Sequence, residues 1–318
     1  MGDKLKSLIP LFRILLCFTG AVQFCHTTLL ANDFISISSS DSAVLNKSKG
    51  TALLNGNVEI VHKSTGSTLI TDELFLIREK DSGDLAYAKA KGSVKMDLNS
   101  LDEYEQLERT THVICDQALY DKIKAVAELK GNVEVISHDY KINADIVYYD
   151  LEKETGRITE IPGKKVRMVF YKNRPQAETK AFDLTDTQGL VDGQAIEIKL
   201  NKKLNKLIFQ GDVRFFDHDE KALFTSKKAD LFFNNKDELE KIIAYGNVIL
   251  SQPQRNSASD RADFDYLTEI VTLTGNARLK EVDQLEVFSS VIRLHMDETK
   301  GMVESGVHVP VKMKAKVD

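Results

Sequence analysis

The stretch LKGNVEVISHDYKINADIVYYD, residues 129–150, holds both phrases from which the chain is built. Its first half, LKGNVEV (129–135), reads apolar-x-Gly-x-Val-x-apolar. The same phrase returns as LLNGNVEI (53–60), AKGSVKM (90–96), FQGDVRF (209–215), AYGNVIL (244–250), LTGNARL (273–279) and ESGVHV (304–309), with IPGKKVRM (161–168) a degenerate copy. Its second half contains NADIVY (143–148), a small-Asp-x-apolar-aromatic phrase. That one returns as ITDELF (70–75), ICDQAL (114–119), KADLFF (228–233) and RADFDY (261–266), and more loosely as GQAIEI (193–198) and SSVIRL (289–294). Both alternate apolar and polar residues with period two and are rich in Val, Ile, Phe and Tyr, so each is a half-buried strand. A repeat of strand pairs predicts an all-β array of antiparallel strands, 16 to 20 in number.

Glycine inside a strand pattern marks a bulge, a bend or a close backbone approach. A chain that turns a corner at every repeat places glycine there. The residue before the repeated Asp is always small: Thr71, Cys115, Ala144, Ala229 and Ala262, with Ala195 and Ser290 in the looser copies. Four residues along stand Phe75, Leu119, Tyr148, Phe233 and Tyr266, which predicts one face alternating small and large side chains. Helical periodicity is nearly absent; LDEYEQLER (101–109) is the one candidate for a helical turn.

Of 318 residues, 43 are Lys or Arg and 48 are Asp or Glu, so no single-sign field marks a nucleic-acid partner. Lys4, Lys6 and Arg13, then the apolar run 14–24 and the small-residue exit at Ala31, read as an export signal; a retained N-terminal anchor is the alternative. Past residue 31 only Cys115 remains, so no intramolecular disulfide can form, and Cys115 reads as a small filler.

Nothing points to catalysis. The histidines at 26, 62, 112, 138, 218, 295 and 308 form no H-E-x-x-H pair, and no nucleophile elbow, P-loop or dinucleotide fingerprint occurs. The recurring acids Asp72, Asp116, Asp145, Asp230 and Asp263 invite a calcium ladder. Calcium needs six to eight oxygens, and these copies lack the second carboxylate and Gly-rich loop, so neither metal nor cofactor is expected. Basic clusters at Lys164, Lys165 and Arg167 and at Lys202, Lys203 and Lys206 could meet phosphates, or could simply charge strand edges.

ISISSSDSAVLNKSKGTALLNGNVEI (35–60), KINADIVYYD (141–150) and RADFDY followed by VTLTGNARLKEVD (261–283) resemble the motifs of the LptA/OstA family, in order, across most of residues 35–310. The resemblance implies an OstA-like β-jellyroll of antiparallel sheets, elongated and open at both ends. It also implies a non-enzymatic periplasmic bridge that sheathes lipopolysaccharide acyl chains from inner to outer membrane. Partners would be lipopolysaccharide, the transport components at each membrane, and other copies joined head to tail by strand addition. Twice the strands of a compact member and a break near 169–192 suggest two tandem units, 32–170 and 193–318, with an irregular connection over 171–192, or one longer sheath. A membrane-tethered LptC-like component, a β-solenoid adhesin with a dry core and a parallel β-helix enzyme are the competing readings.

Under the bridge reading, Val58, Ile60, Val133, Val135, Ile146, Tyr148, Val213, Phe215, Phe233, Val248, Leu250, Phe264 and Tyr266 line an apolar trough. An ordinary closed core is the alternative that periodicity does not separate from it. The assembly edges would be at Ile35 and Ile37 and at Val307 and Val309.

Overall fold

The computed structural model describes residues 35–39, 41–101, 107–137, 140–171, 189–234, 239–281, 286–296, 301–304 and 312–314. The segment read as an export signal or anchor, 1–31, most of the segment read as a connection, 171–192, and Val307 and Val309 lie outside them. Among the described residues the chain forms twenty strands, and the one helical element is a 3-10 turn at Lys202–Leu204. No helix of the described residues is long and apolar enough to cross a membrane.

Two compact units divide the chain. The first contains β1 (Ile35–Ser38), β2 (Ser42–Asn46), β3 (Thr51–His62), β4 (Ser67–Arg78), β5 (Leu85–Leu101), β6 (Leu107–Asp121), β7 (Val126–Ile136), β8 (Tyr140–Asp150) and β9 (Thr155–Thr159). From β3 onward each strand pairs antiparallel with the next, and β1 and β2 lie end to end along the free edge of β3. The proposed helical turn is not built at its ends, since Leu101 closes β5 and 107–109 open β6. Residues 102–106 lie outside the described set.

The second unit contains β10 (Val166–Tyr171), β11 (Leu190–Ala195), β12 (Glu197–Asn201), β13 (Lys206–Asp217), β14 (Ala222–Phe233), β15 (Leu239–Ser251), β16 (Arg255–Asp265), β17 (Ile270–Glu281), β18 (Glu286–His295), β19 (Gly301–Glu304) and β20 (Lys312–Lys314). Here too short strands share a long one, β11 and β12 along β13, and β19 and β20 along β18. Among the described residues the division falls at Gly163/Lys164. β10 runs beside β11 from Val166↔Ala195 to Tyr171↔Leu190, so the described ends of the segment read as a connection are strands of the second unit.

Six hairpins use one turn chemistry. An Asp or Asn at the strand end accepts the backbone N–H three residues on: Asn46 from Lys49, Asp121 from Lys124, Asp150 from Lys153, Asn201 from Leu204, Asp217 from Glu220 and Asp265 from Thr268, all within 2.9 to 3.3 Å. The next residue is left-handed in every case, at Gly50, Ala125, Glu154, Asn205, Lys221 and Glu269. This is the side-chain mimicry of a turn for which Asp and Asn are favoured.

The repeated glycines mark bulges, as their place in the pattern predicts. At Gly131 and Asn132 both residues have positive φ, +74° and +48°, and together they oppose one residue on each neighbouring strand. The same two-against-one count occurs at Gly56, Gly92, Gly211, Gly246 and Gly275. The degenerate copy does not follow, because Gly163 lies in the turn before β10.

Candidate functional site

Each bulge changes the face of the strand opposite it. On β8, Tyr140, Ile142 and Ala144 are buried, then Val147 and Tyr149; the phase slips by one residue across Asp145. On β6 the slip falls between Cys115 and Ala118, and on β14 between Ser226 and Ala229. The glycine-bearing strand keeps its phase, as on β7 with Ala127, Leu129, Val133 and Val135 all buried.

The slip corrects two expectations. In the first unit Phe75, Leu119 and Tyr148 stand on the face opposite Thr71, Cys115 and Ala144, not beside them. The repeated Asp is also two sets. Asp72, Asp116 and Asp145 sit at the slip, whereas in the second unit that place belongs to Lys227 and Asp260. Asp230 and Asp263 lie three residues later in ion pairs, Asp230 with Lys206 at 2.7 Å and Lys228 at 3.1 Å, Asp263 with Arg261 at 2.9 Å. Among the described residues no three His, Cys, Asp or Glu side chains gather as a metal set.

Before four of the slips the residue has a task, whereas Ala144 on β8 has no donor to give. Thr71 Oγ1 donates to the carbonyl of Lys91, Cys115 Sγ to that of Gln117, Ser226 Oγ to that of Lys228 and Ser259 Oγ to that of Arg261, at 2.8 to 3.3 Å. Each donor adds a side-chain hydrogen bond to the backbone where the ladder is irregular. Cys115 is therefore more than a filler, and burial pushes its thiol up to about 12, far from a reactive thiolate.

Of the thirteen trough candidates, Val58, Val133, Val135, Val213, Phe215, Val248, Leu250 and Phe264 are buried on the inward face. Ile60, Phe233 and Tyr266 lie on that face at strand ends and are half-buried. Ile146 and Tyr148 point outward, Tyr148 with 36 % of its surface exposed, because the slip hands the inward positions to Val147 and Tyr149.

In the second unit the inward face is aromatic. Gly193, Phe215, Phe224, Leu250, Ser257, Leu279 and Val287 are successive cross-strand partners in one row. A Cβ on Gly193 would stand 2.7 Å from the Phe215 ring, so the glycine makes room for it. Phe215 stacks on Phe224 at 5.5 Å between centroids and tilts against Phe209 at 4.8 Å, and Phe224 meets Phe264 edge-on at 5.0 Å. Beside these rings opens a cleft with about 510 Å³ of atom-free space, part of it open to solvent. Its wall is mostly apolar, including Phe215, Leu250, Phe264 and Tyr266 from the trough set; Asp217, Glu220 and Gln252 add polar groups.

The basic clusters are largely engaged within the chain. Arg167 holds Asp192 with two nitrogens at 2.7 and 3.0 Å, Lys165 donates to the Asp212 carbonyl, and Lys206 reaches Asp230 and lies over the Phe232 ring. At the edges, Ile35 and Ile37 pair with His62 and Ile60. The fully exposed neighbour β2, with Val44 and Leu45, had no place in the expected edge.

A family model described as LptA/(LptD N-terminal domain) LPS transport protein matches residues 38–155, 112–222 and 194–300. No curated protein matches the chain. Among solved structures, the crystal structure of LptH, the LptA homologous periplasmic component of the conserved lipopolysaccharide transport device from Pseudomonas aeruginosa, matches at 16 % identity. The match covers 48 % of this chain and 95 % of that chain, with a TM-score of 0.33.

Proposed function

The chain belongs to the LptA/LptD N-terminal domain family of lipopolysaccharide-transport proteins, and from that membership we propose that it is a periplasmic bridge whose inward faces shield lipid acyl chains in passage between membranes. The observation that carries the reading is the threefold family match, which spans residues 38–300 in overlapping stretches and coincides with the strand array. Each matched stretch brings its own row of buried apolar side chains.

Exposing a roughly 12-carbon acyl chain to water costs about 9 kcal/mol, at ~0.8 kcal/mol per methylene. An apolar face that the chain can follow removes most of that barrier. No residue of the reading performs a covalent step, and the energy for directed movement comes from elsewhere. In this reading the jellyroll of the family is repeated, its N-terminal edge at β1 meets the preceding component, and copies join head to tail.

Photo-crosslinkers placed at inward Val135 and Phe215 are expected to capture lipopolysaccharide in cells, and those at outward Glu134 and Arg214 to stay unlabelled. Equal capture at all four positions would remove the inward route.

A further inference from the structure

On the outward face of the first unit, β6 carries apolar groups where the strands on either side carry charge. Lys89, Leu119 and Glu128 are cross-strand partners on β5, β6 and β7, and the row runs on to Phe75 on β4 and Tyr148 on β8. Farther along the same strands Lys95, Ile114 and Glu134 repeat the arrangement, with Ile70 of β4 beside Lys95. Apolar members of both rows are open to solvent: Ile70 is 42 % exposed, Ile114 44 % and Tyr148 36 %.

Opposite charges placed in this way do not satisfy one another within the chain. Lys89 and Glu128, like Lys95 and Glu134, lie two strand spacings apart, about 10 Å, with the β6 side chain between them. The glutamates pair with lysines on their own side, Glu128 with Lys130 at 2.9 Å and Glu134 with Lys141 at 2.8 Å. Among the described residues neither Lys89 nor Lys95 has an ion pair.

Symmetry supplies what the chain does not. When a second copy is rotated by a half-turn about an axis along β6, between two facing sheets, each row meets itself reversed. Lys89 then faces Glu128 of the copy, Lys95 faces Glu134, Phe75 faces Tyr148, and Leu119 and Ile114 meet their own counterparts on the axis. The middle row inverts the signs and still matches: Asp116, in the slip of β6, lies near the axis, with Lys91 on β5 and Lys130 on β7 to either side. Sheets stacked face to face stand about 10 Å apart, a gap that lysine and glutamate side chains bridge together. One patch meeting itself about a two-fold axis is the isologous contact of most dimers, and complementary charges around an apolar centre fix its register.

We propose that β5, β6 and β7 of the first unit form a face on which a second copy of this chain docks, sheet to sheet, about a two-fold axis along β6. The contact uses neither a strand edge nor the inward face, so it is separate from head-to-tail assembly and from the lipid route.

Disulfide trapping reads this face alone. In a full chain carrying Cys17→Ser, Cys25→Ser and Cys115→Ser, Ile114→Cys places one thiol beside the axis. Mild oxidation is expected to give at least ten times more linked dimer than Ile249→Cys, a comparably exposed outward site of the second unit. Adding Lys89→Glu with Lys95→Glu to the Ile114→Cys chain sets acid against acid and is expected to lower the yield at least tenfold. Adding Glu128→Lys with Glu134→Lys instead sets base against base, with the same result. Mixing the two charge variants gives each row the opposite sign to face. The yield is then expected to return to within threefold of the parent, as a dimer with one chain of each variant, identified by mass. Similar yields at 114 and 249, charge variants that crosslink like their parent, or a mixture that stays unlinked each overturn the proposal.

Discussion

At the residue scale, the bulge glycine answers to two constraints at once. Gly131 has a φ of +74°, and a Cβ there would lie 2.2 Å from Asp116 Oδ2. Asp116 is held by the bulge itself, through Asn132 Nδ2 at 3.1 Å, just as Asp260 is held by Asn276 at 2.8 Å. Gly131→Ala is expected to cost about 1–3 kcal/mol, the range for a strained non-Gly backbone, as a drop in urea midpoint. Adding Asp116→Ala should return only part of the loss, because it removes the carboxylate clash and leaves the dihedral and a Cβ contact of 2.9 Å. Full recovery would mean the backbone conformation costs nothing.

The hairpin acids make a pH prediction. Hydrogen bonds from the Lys153 side chain and backbone lower the Asp150 pKa below 3.8, and the Thr268 backbone N–H does so for Asp265. A carboxyl whose folded pKa is depressed contributes stability that is complete above its unfolded value and is lost as pH falls through the folded one. The contribution is thus present at neutral pH and declines below about pH 4. Asp150→Asn and Asp265→Asn keep the turn acceptor but not the charge, so each should lower the midpoint at pH 7 modestly and flatten its fall in acid. An acid limb identical to wild type would count against the linkage.

Cys115 supplies the third residue-scale test. With its thiol buried and donating to the Gln117 carbonyl, it should react with iodoacetamide at pH 8 only as fast as the protein opens. Cys115→Ser preserves the donor and should be better tolerated than Cys115→Ala, which removes a hydrogen bond worth about 1 kcal/mol. Rapid labelling of the native chain would show a different environment.

At the scale of the strand, the period-two phrases and their glycines located nearly every long strand and bulge, because alternation and positive φ leave direct marks on composition. The slip left no such mark. On β8 both phases after Asp145 are apolar, Ile146 and Tyr148 on one side, Val147 and Tyr149 on the other, so periodicity cannot choose between them. In the second unit the small-residue phrase matched Ala229-Asp230 and Ala262-Asp263, while the slip is at Ser226-Lys227 and Ser259-Asp260. There the distinguishing sign was a serine before the bulge, Ser226 and Ser259, each donating to the carbonyl two residues on in its own strand, a bond that alternation of apolar and polar residues does not record. The Asp or Asn opening six hairpins was readable, but the left-handed residue four places on is Gly only once, which hid the pattern. The cleft needed the fold, since its wall draws on strands distant in sequence.

Under the proposed function the slip can be tested by crosslinking to lipopolysaccharide. A photo-crosslinker walked along β8 is expected to capture at Ile142, Val147 and Tyr149 and to miss at Ile146 and Tyr148. Capture at 142, 146 and 148 would restore an unbroken alternation and remove the slip from the lipid route.

At the scale of the whole molecule, the proposed head-to-tail assembly turns on the strand edges. A free strand edge is a template for further pairing unless it is short, charged or covered. The long strand β3 is not itself free, because β1 and β2 divide its length between them. What the first unit offers to a partner is therefore the outer side of two short strands, one of them β2, exposed at every position and carrying Val44 and Leu45. If head-to-tail assembly uses this edge, prolines at Ile35 and Ile37 remove backbone donors from β1 and disturb its pairing with Ile60 and His62. They should lower the concentration-dependent mass seen by light scattering, and Val44→Lys with Leu45→Lys on β2 should do so without touching β1. Assembly that resists the prolines but yields to the lysines would move the contact from β1 to β2. Assembly that ignores both would place it away from the N-terminal edge altogether.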